Sequence, residues 1–380
     1  MKQINSAIAL ENPKINLTEN QKRFQKFLNR GNPPYEKILL KYHEKRILAI
    51  LKGEIVPPQE LEIQPSSKCN LKCKHCFGKT LTNKFLEDRI GEKEIEVLAK
   101  KINEYKEGEF EIESVKFCGT TGEPLINPAM LHGINLFKDL GKNIVVFTNG
   151  LYLDKIYQGK KYLEYLTDIN RLNVSLDAGS ERTFMDLKGR IGFSRTIKSL
   201  GELIEKKNGK LKVNVSYVIS EKNPNEIVKT TKLMDDLGVD EIRFRVDITN
   251  PEKIHAISGL IIYELNKAKN SPKKHIKVAS VYSPNEIKED SIFHSCGKKC
   301  FTQHLWACVG PDCNLYACGH RTYKGVEPYG SLLDHSFKEL WTSEKRLENL
   351  KNLPDEYCNF CSPFSSRTND FMTFLESIKN

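Results

Sequence analysis

The chain has 380 residues and a net charge of +10, enough for one large α/β domain with appendages or for two domains. No apolar run approaches the roughly 20 residues needed to cross a bilayer, and Met1-Lys2-Gln3-Ile4-Asn5 lacks the apolar stretch of a secretory signal, so a cytoplasmic protein without a membrane partner is expected. The lysines are spread along helices, as at Lys100-Lys101 and Lys206-Lys207; this favours a solvated basic surface, able to steer an acidic electron-transfer partner, over nucleic-acid binding.

Residues 1–57 read as a helical segment. Thr18-Glu19-Asn20-Gln21 predicts a capped start, and Gly31-Asn32-Pro33-Pro34 a stop. A second helix is expected from Tyr35 to about Leu51, with Ile38, Leu39, Tyr42, Ile47, Leu48 and Leu51 roughly at helical spacing. Across 58–260 strands alternate with helices. The expected strands are Glu60–Gln64, Val115–Cys118, Ile144–Thr148, Leu172–Leu176, Val213–Ile219 and Glu241–Val246. The helices include Glu92–Ile102, Ala129–Leu140, Thr196–Lys206 and Asn225–Leu237, with Gly141 and Gly238 just past two of them as stops. Repeated βα units imply a parallel sheet, and six of them suit an open, partial (β/α)6 barrel of TIM-like type. Residues 261–380 read as a linker, with Ser271-Pro272 and Ser283-Pro284, leading into a cysteine-rich domain.

The 11 cysteines are clustered: three by residue 76, Cys118, and seven from Cys296 onward. In a cytosolic chain this favours metal or redox chemistry over disulfides, and two separate metal sites explain the distribution. The first is Cys69, Cys73 and Cys76, a CxxxCxxC run. Three thiolates are one short of the four that close an iron–sulfur cluster, so a [4Fe-4S] cluster there keeps one iron open. Zinc is the alternative, but structural zinc sites have four ligands, and His75, between two of the cysteines, is poorly placed to be the fourth.

Three strand ends carry further motifs. Phe117-Cys118-Gly119-Thr120-Thr121-Gly122-Glu123-Pro124 follows the second strand, Thr148-Asn149-Gly150 the third, and Ser175-Leu176-Asp177 the fourth. Period-2 alternation puts Ser175 and Asp177 on one face. A Gly-Glu-Pro turn without chemistry is the plain alternative for the first. Arg243 and Arg245 share one face of the sixth strand and bind an anionic substrate group if that face lines the barrel; Phe244 reads as barrel filling rather than an adenine contact.

Taken together, the CxxxCxxC loop, the Gly-Glu-Pro element and the six βα units resemble the radical S-adenosylmethionine (SAM) superfamily. The resemblance implies that a reduced cluster on Cys69, Cys73 and Cys76 cleaves SAM to a 5′-deoxyadenosyl radical, which takes a substrate hydrogen atom in oxygen-sensitive chemistry. It places His75, Thr121, Gly122, Glu123, Asn149, Ser175 and Asp177 around the SAM site, and Arg190 suits the SAM carboxylate, with a surface arginine as the alternative. Cys118 is either a hydrogen-atom donor or a small buried hydrophobe.

Cys300, Cys318, Cys358 and Cys361 resemble the auxiliary-cluster domains called SPASM or, in shortened form, twitch. This implies one auxiliary [4Fe-4S] cluster for electron transfer, with zinc as the alternative for four thiolates and with Cys296, Cys308 and Cys313 unassigned. Relatives often have a turn glycine at the position of Cys313. The expected activity is oxidative or epimerising modification of a ribosomally made peptide. Oxidation or rearrangement of a small sugar, aminocyclitol or nucleoside is the alternative, and a zinc-binding nucleic-acid protein the remote one. A flavodoxin- or ferredoxin-like donor is the expected electron partner.

Overall fold

The computed structural model describes residues 18–29, 35–81, 86, 88–120, 122–288, 297, 299–358 and 361–378. Two helices come first, α1 (Glu19–Leu28) and α2 (Tyr35–Leu51). At α1, Thr18 Oγ1 accepts from Gln21 N while Gln21 Oε1 accepts from Thr18 N, a capping box that satisfies donors a helix start leaves unpaired. The expected stop at Gly31–Pro34 lies outside the described residues.

Then β1 (Glu60–Ile63), α3 (Glu92–Glu104), β2 (Ser114–Phe117), α4 (Ala129–Asp139), β3 (Asn143–Thr148) and β4 (Arg171–Ser175) follow. They lead into α5 (Glu181–Lys188), α6 (Phe193–Lys206), β5 (Lys212–Ile219), α7 (Ile227–Leu237) and β6 (Glu241–Val246). All six expected strands form. Gly141 (φ 73°) and Gly238 (φ 93°) take the left-handed conformation that ends α4 and α7.

Beyond β6 the sheet differs from the sequence reading. The expected linker contains a seventh parallel strand, β7 (Lys277–Ser280), paired with β6. Its four residues are too few to show a period-2 signal between two Ser-Pro turns. The cysteine-rich region then adds β8 (Trp306–Val309), β9 (Asn314–Tyr316) and β10 (Gly330–Ser331) to the same sheet. β8 runs parallel to β1 with Cys308 opposite Glu62, while β9 and β10 are antiparallel. The order is β7-β6-β5-β4-β3-β2-β1-β8-β9-β10. This is an α/β fold with a largely parallel sheet that curves into a partial barrel: Glu62, Lys116, Phe147, Asn173, Arg243 and Cys308, from six different strands, all face one cavity.

Alternation along each strand separates two environments. Leu61, Ile63, Val115, Phe117, Val146, Leu172, Val174, Ile242 and Phe244 are buried in one core with Ile95, Leu98, Ile134, Phe137, Leu203 and Met234 of the helices. The opposite face carries the charged and polar side chains that line the cavity. A second core joins the two ends of the described chain: Phe24, Leu39 and Ile47 pack with Phe371, Phe374 and Leu375 of the last helix, α8 (Pro363–Ser377), and Phe27 stacks on Phe374 at 5.2 Å. Among the described residues no helix is long and apolar enough to cross a membrane.

Candidate active site

Cys69, Cys73 and Cys76 lie in the loop after β1, at the strand end where such folds gather catalytic groups. The loop is pinned from three sides. Lys68 O accepts from Glu123 N at 2.8 Å, Asn70 Oδ1 from Asn149 Nδ2 at 2.6 Å, and Lys188 O from Lys72 N at 3.0 Å. A Cβ on Gly122 would fall 1.9 Å from Ser66 O, so only glycine lets the loops after β1 and β2 approach this closely. Thr121, expected beside it, lies outside the described residues.

None of the three thiols is in a disulfide, and all line one cavity of about 870 Å³. Burial pushes the Cys69 thiol up and that of Cys73 to about 11, against the nearby Lys188 ammonium, and charge on Cys69 and Cys76 adds to the rise at Cys73. Thiols that disfavour ionisation, as those of Cys69 and Cys73 do, suit a cationic metal centre, which holds them as thiolates. Asn70 Nδ2 and His75 Nδ1, both in this loop, are buried without a hydrogen-bond partner.

Glu123 is only 3% exposed. Its carboxylate accepts from Thr148 Oγ1 at 2.6 Å, Asn149 N at 2.7 Å and Leu125 N at 3.0 Å. It fastens the loop after β2 to the end of β3, and burial raises its pKa despite those donors.

Asp177 stands two residues past β4 at φ 58°, a left-handed conformation that aspartate tolerates. Its carboxylate pairs with Lys188 and accepts from Val218 N at 2.7 Å and His75 Nε2 at 3.1 Å. Burial alone would lift the Asp177 pKa, but the Lys188 ammonium, then the His75 hydrogen bond, hold the carboxyl well below the usual carboxylate range. Lys188 Nζ also donates to Ser175 O at 3.0 Å. Ser175 and Asn149 line the same cavity.

Arg190 is placed differently from the expectation. It is exposed, off the cavity wall, and donates to Asn70 O at 3.4 Å. Lys188 faces the cavity instead. The chain turns at Gly189 (φ 72°), which leaves Lys188 inside at the end of α5 and carries Arg190 out. The sequence held one clue, a lysine in the last helical turn directly before a glycine stop.

Cys118 faces the cavity and hydrogen-bonds the Glu62 carboxylate; burial, then the charge of Glu62, push its thiol well above the ordinary range, so it stays protonated. Glu62 is held at about 2, because Lys116, 2.8 Å away, outweighs burial. Cys308, across the β1–β8 pairing, stands 3.9 Å from Glu62 Oε1.

Cys300, Cys318, Cys358 and Cys361 open onto this same cavity. Burial, then charge on Cys300, raise Cys318 to about 12, with Cys358 adding to the rise. Arg321 Nη1 donates to Cys358 Sγ at 3.3 Å and pairs with Asp355. Among the described residues no three His, Cys, Asp or Glu side chains meet tightly enough to hold a single ion; a cluster, with its own sulfides, spreads its thiolates more widely than one zinc does. Cys313 is buried at φ 60° in the main core, away from the cavity, as suits a turn-glycine position. Cys296 lies outside the described residues. Phe244 packs on Tyr217 at 5.3 Å on the helix-facing side, so it fills the core, while Arg243 and Arg245 line the cavity.

The family model that matches this chain is the radical SAM superfamily, over residues 63–234. That span holds the cysteine loop, Glu123, Asn149, Ser175, Asp177 and Lys188. Residues 63–234 thus carry a radical SAM domain. Its fit to a [4Fe-4S] cluster and SAM is the one the donor set describes: three cavity-facing thiols, with a glycine-dependent loop and a carboxylate-braced turn beside them. The match spans Cys69, Cys73 and Cys76 and favours an iron–sulfur cluster over zinc at the first loop.

Curated relatives include a probable GTP 3′,8-cyclase of Saccharolobus islandicus, 31% identical over 188 residues, or 49% of this chain and 56% of that protein. The molybdenum cofactor biosynthesis protein 1 of Mus musculus is 30% identical over 193 residues, 48% of this chain and 27% of that protein. The chain thus spans about half the length of the cyclase relatives it matches. Among solved structures, Streptococcus suis SuiB bound to its precursor peptide SuiA superposes with a TM-score of 0.61 at 17% identity, covering 96% of this chain and 81% of that one. Native anSMEcpe with bound AdoMet gives 0.53 at 18% identity, covering 83% and 97%. These likenesses show that the shared fold extends well beyond the matched residues.

Proposed function

We propose that this chain modifies a peptide by radical SAM chemistry, with Cys69, Cys73 and Cys76 holding the SAM cluster and Cys300, Cys318, Cys358 and Cys361 holding one auxiliary [4Fe-4S] cluster of SPASM or twitch type. The observation that carries the proposal is that both cysteine sets open onto one cavity, so a substrate between them is within reach of both centres. SAM bound at the reduced cluster supplies a carbon radical able to take a hydrogen atom from an unactivated substrate carbon.

The chain's own residues position and protect. Glu123 braces the loop that meets the SAM amino group. Asp177, through His75 and Lys188, fixes the cysteine loop against the end of β4. Ser175 offers a hydroxyl beside them, and Lys188 a cation for a carboxylate. Cys118 keeps its S–H beside Glu62, where it would return a hydrogen atom in an epimerisation, its thiyl radical then regaining an electron from the external reductant and a proton from solvent; in an oxidation, a cluster held by the C-terminal cysteines would supply the electron acceptor. The peptide reading is supported by the peptide-bound fold relative, which matches over 96% of this chain. A nucleoside-type substrate is the second reading, supported by the GTP 3′,8-cyclase relatives. The basic surface, at a net charge of +10, suits an acidic flavodoxin- or ferredoxin-like donor.

The test is anaerobic incubation of the reconstituted protein with reductant and SAM, with a precursor peptide encoded beside it or with GTP. Peptide-stimulated 5′-deoxyadenosine and a mass change in the peptide are expected. Stimulation by GTP alone would hand the assignment to the second reading.

A further inference from the structure

One cation on the cavity wall, Arg245, combines a buried guanidinium nitrogen with the absence of an ion-pair partner among the described residues. Arg243 and Arg245 project from the same face of β6 onto the cavity wall. Arg243 is paired with Glu241 at 2.5 Å, and Lys277 shares that carboxylate at 3.3 Å. Arg245 has no ion-pair partner among the described residues, and its Nε is buried without an acceptor. The carboxylate whose charge acts on it is Asp177, already engaged by Lys188, His75 and Val218 N. Burial, then the like charge of Arg243, depress the Arg245 pKa. A desolvated guanidinium beside another is costly unless an anion joins them.

The neighbouring wall is aromatic. The Arg243 guanidinium lies 5.9 Å from the Phe364 ring centre; Tyr35 is 4.9 Å from Phe364 and 6.5 Å from Trp306. All three rings line the cavity. We propose that Arg245, with Arg243 beside it, binds a carboxylate of the peptide substrate, next to an apolar substrate side chain that rests on Tyr35, Phe364 and Trp306. The spare charge favours a carboxylate over a triphosphate: Glu241 already offsets part of the basic cluster, and a triphosphate brings several negative charges. A planar guanidinium fork suits bidentate carboxylate recognition. The inference deepens the peptide reading above and rests on it.

The experiment is calorimetric titration of the anaerobically reconstituted full chain with an acetylated Phe-Glu dipeptide amide, its Phe-Gln counterpart and inorganic tripolyphosphate. The acidic dipeptide should bind at least tenfold tighter than the neutral one. Arg245→Gln should abolish that preference and Arg245→Lys keep part of it, with the KM for SAM unchanged in both. Equal affinity for the two dipeptides, no binding of either, or Arg245-dependent binding of tripolyphosphate in preference to them overturns the proposal. So does a tenfold rise in the SAM KM of Arg245→Gln, which would give the arginine to the SAM carboxylate. Substrate-independent 5′-deoxyadenosine formation keeps the two readings apart: without it in the wild type the enzymatic reading fails, while the titration still decides the arginine.

Discussion

Lys188 and Asp177 pair on the cavity wall with both side chains only 3% exposed, and His75 of the cysteine loop donates to the same carboxylate. One buried carboxylate thereby joins the end of α5, the end of β4 and the loop that carries Cys69, Cys73 and Cys76. Removing one partner leaves the other charge buried without its main counter-charge. Lys188→Met should lower stability by about 3–5 kcal/mol, read by urea unfolding. Asp177→Asn should cost a similar amount, and the double variant less than the sum of the two. Strict additivity would mean that the pair is not coupled.

Serine at Cys73 and at Cys318 should give opposite phenotypes. Cys73→Ser should lose the SAM cluster and all 5′-deoxyadenosine formation, with auxiliary iron retained. Cys318→Ser should drop from about eight irons to about four per chain, still cleave SAM, and fail to release modified substrate. Iron and sulfide analysis with product chromatography checks both; unchanged iron in Cys318→Ser would remove that residue from the ligand set.

Cys118 holds a protonated thiol against Glu62. If it returns the hydrogen atom, product formed in deuterated solvent carries one deuterium from the exchanged S–H. Cys118→Ala should then cleave SAM at the wild-type rate but incorporate no solvent deuterium and yield no epimerised product. Unaltered product from Cys118→Ala would leave the thiol as packing alone.

Asp235 shows how pH enters stability away from the site. Its carboxylate accepts from Lys274 N, His275 N and Ile276 N at 2.6, 3.1 and 2.9 Å. Burial alone would raise its pKa, but these three donors outweigh it and hold the group below its ordinary 3.8. A depressed carboxyl contributes stability that is present above the unfolded pKa and is lost as pH falls through the folded one. The difference between wild type and Asp235→Asn, about 1–3 kcal/mol at neutral pH, should therefore shrink as pH falls below about 4. A difference constant down to pH 2 would contradict the assignment.

The sequence alone determined the repeating βα frame, the three-cysteine loop and the Gly-Glu-Pro turn, because these are local. Alternation and helical spacing are written within a dozen residues, and the CxxxCxxC spacing is readable within its own run. Glycine stops at Gly141 and Gly238 were legible for the same reason. What the tertiary structure alone decided is non-local. β7 is too short to announce itself, and β8 joins the barrel sheet only because Cys308 comes to lie opposite Glu62, 246 positions earlier in the chain. That pairing brings both cysteine fields to one cavity. Which of Lys188 and Arg190 faces the cavity turned on the chain reversal at Gly189, and the lack of an ion-pair partner for Arg245 among the described residues on where the carboxylates end up. Such questions depend on distances between strands far apart in sequence, which no local pattern encodes.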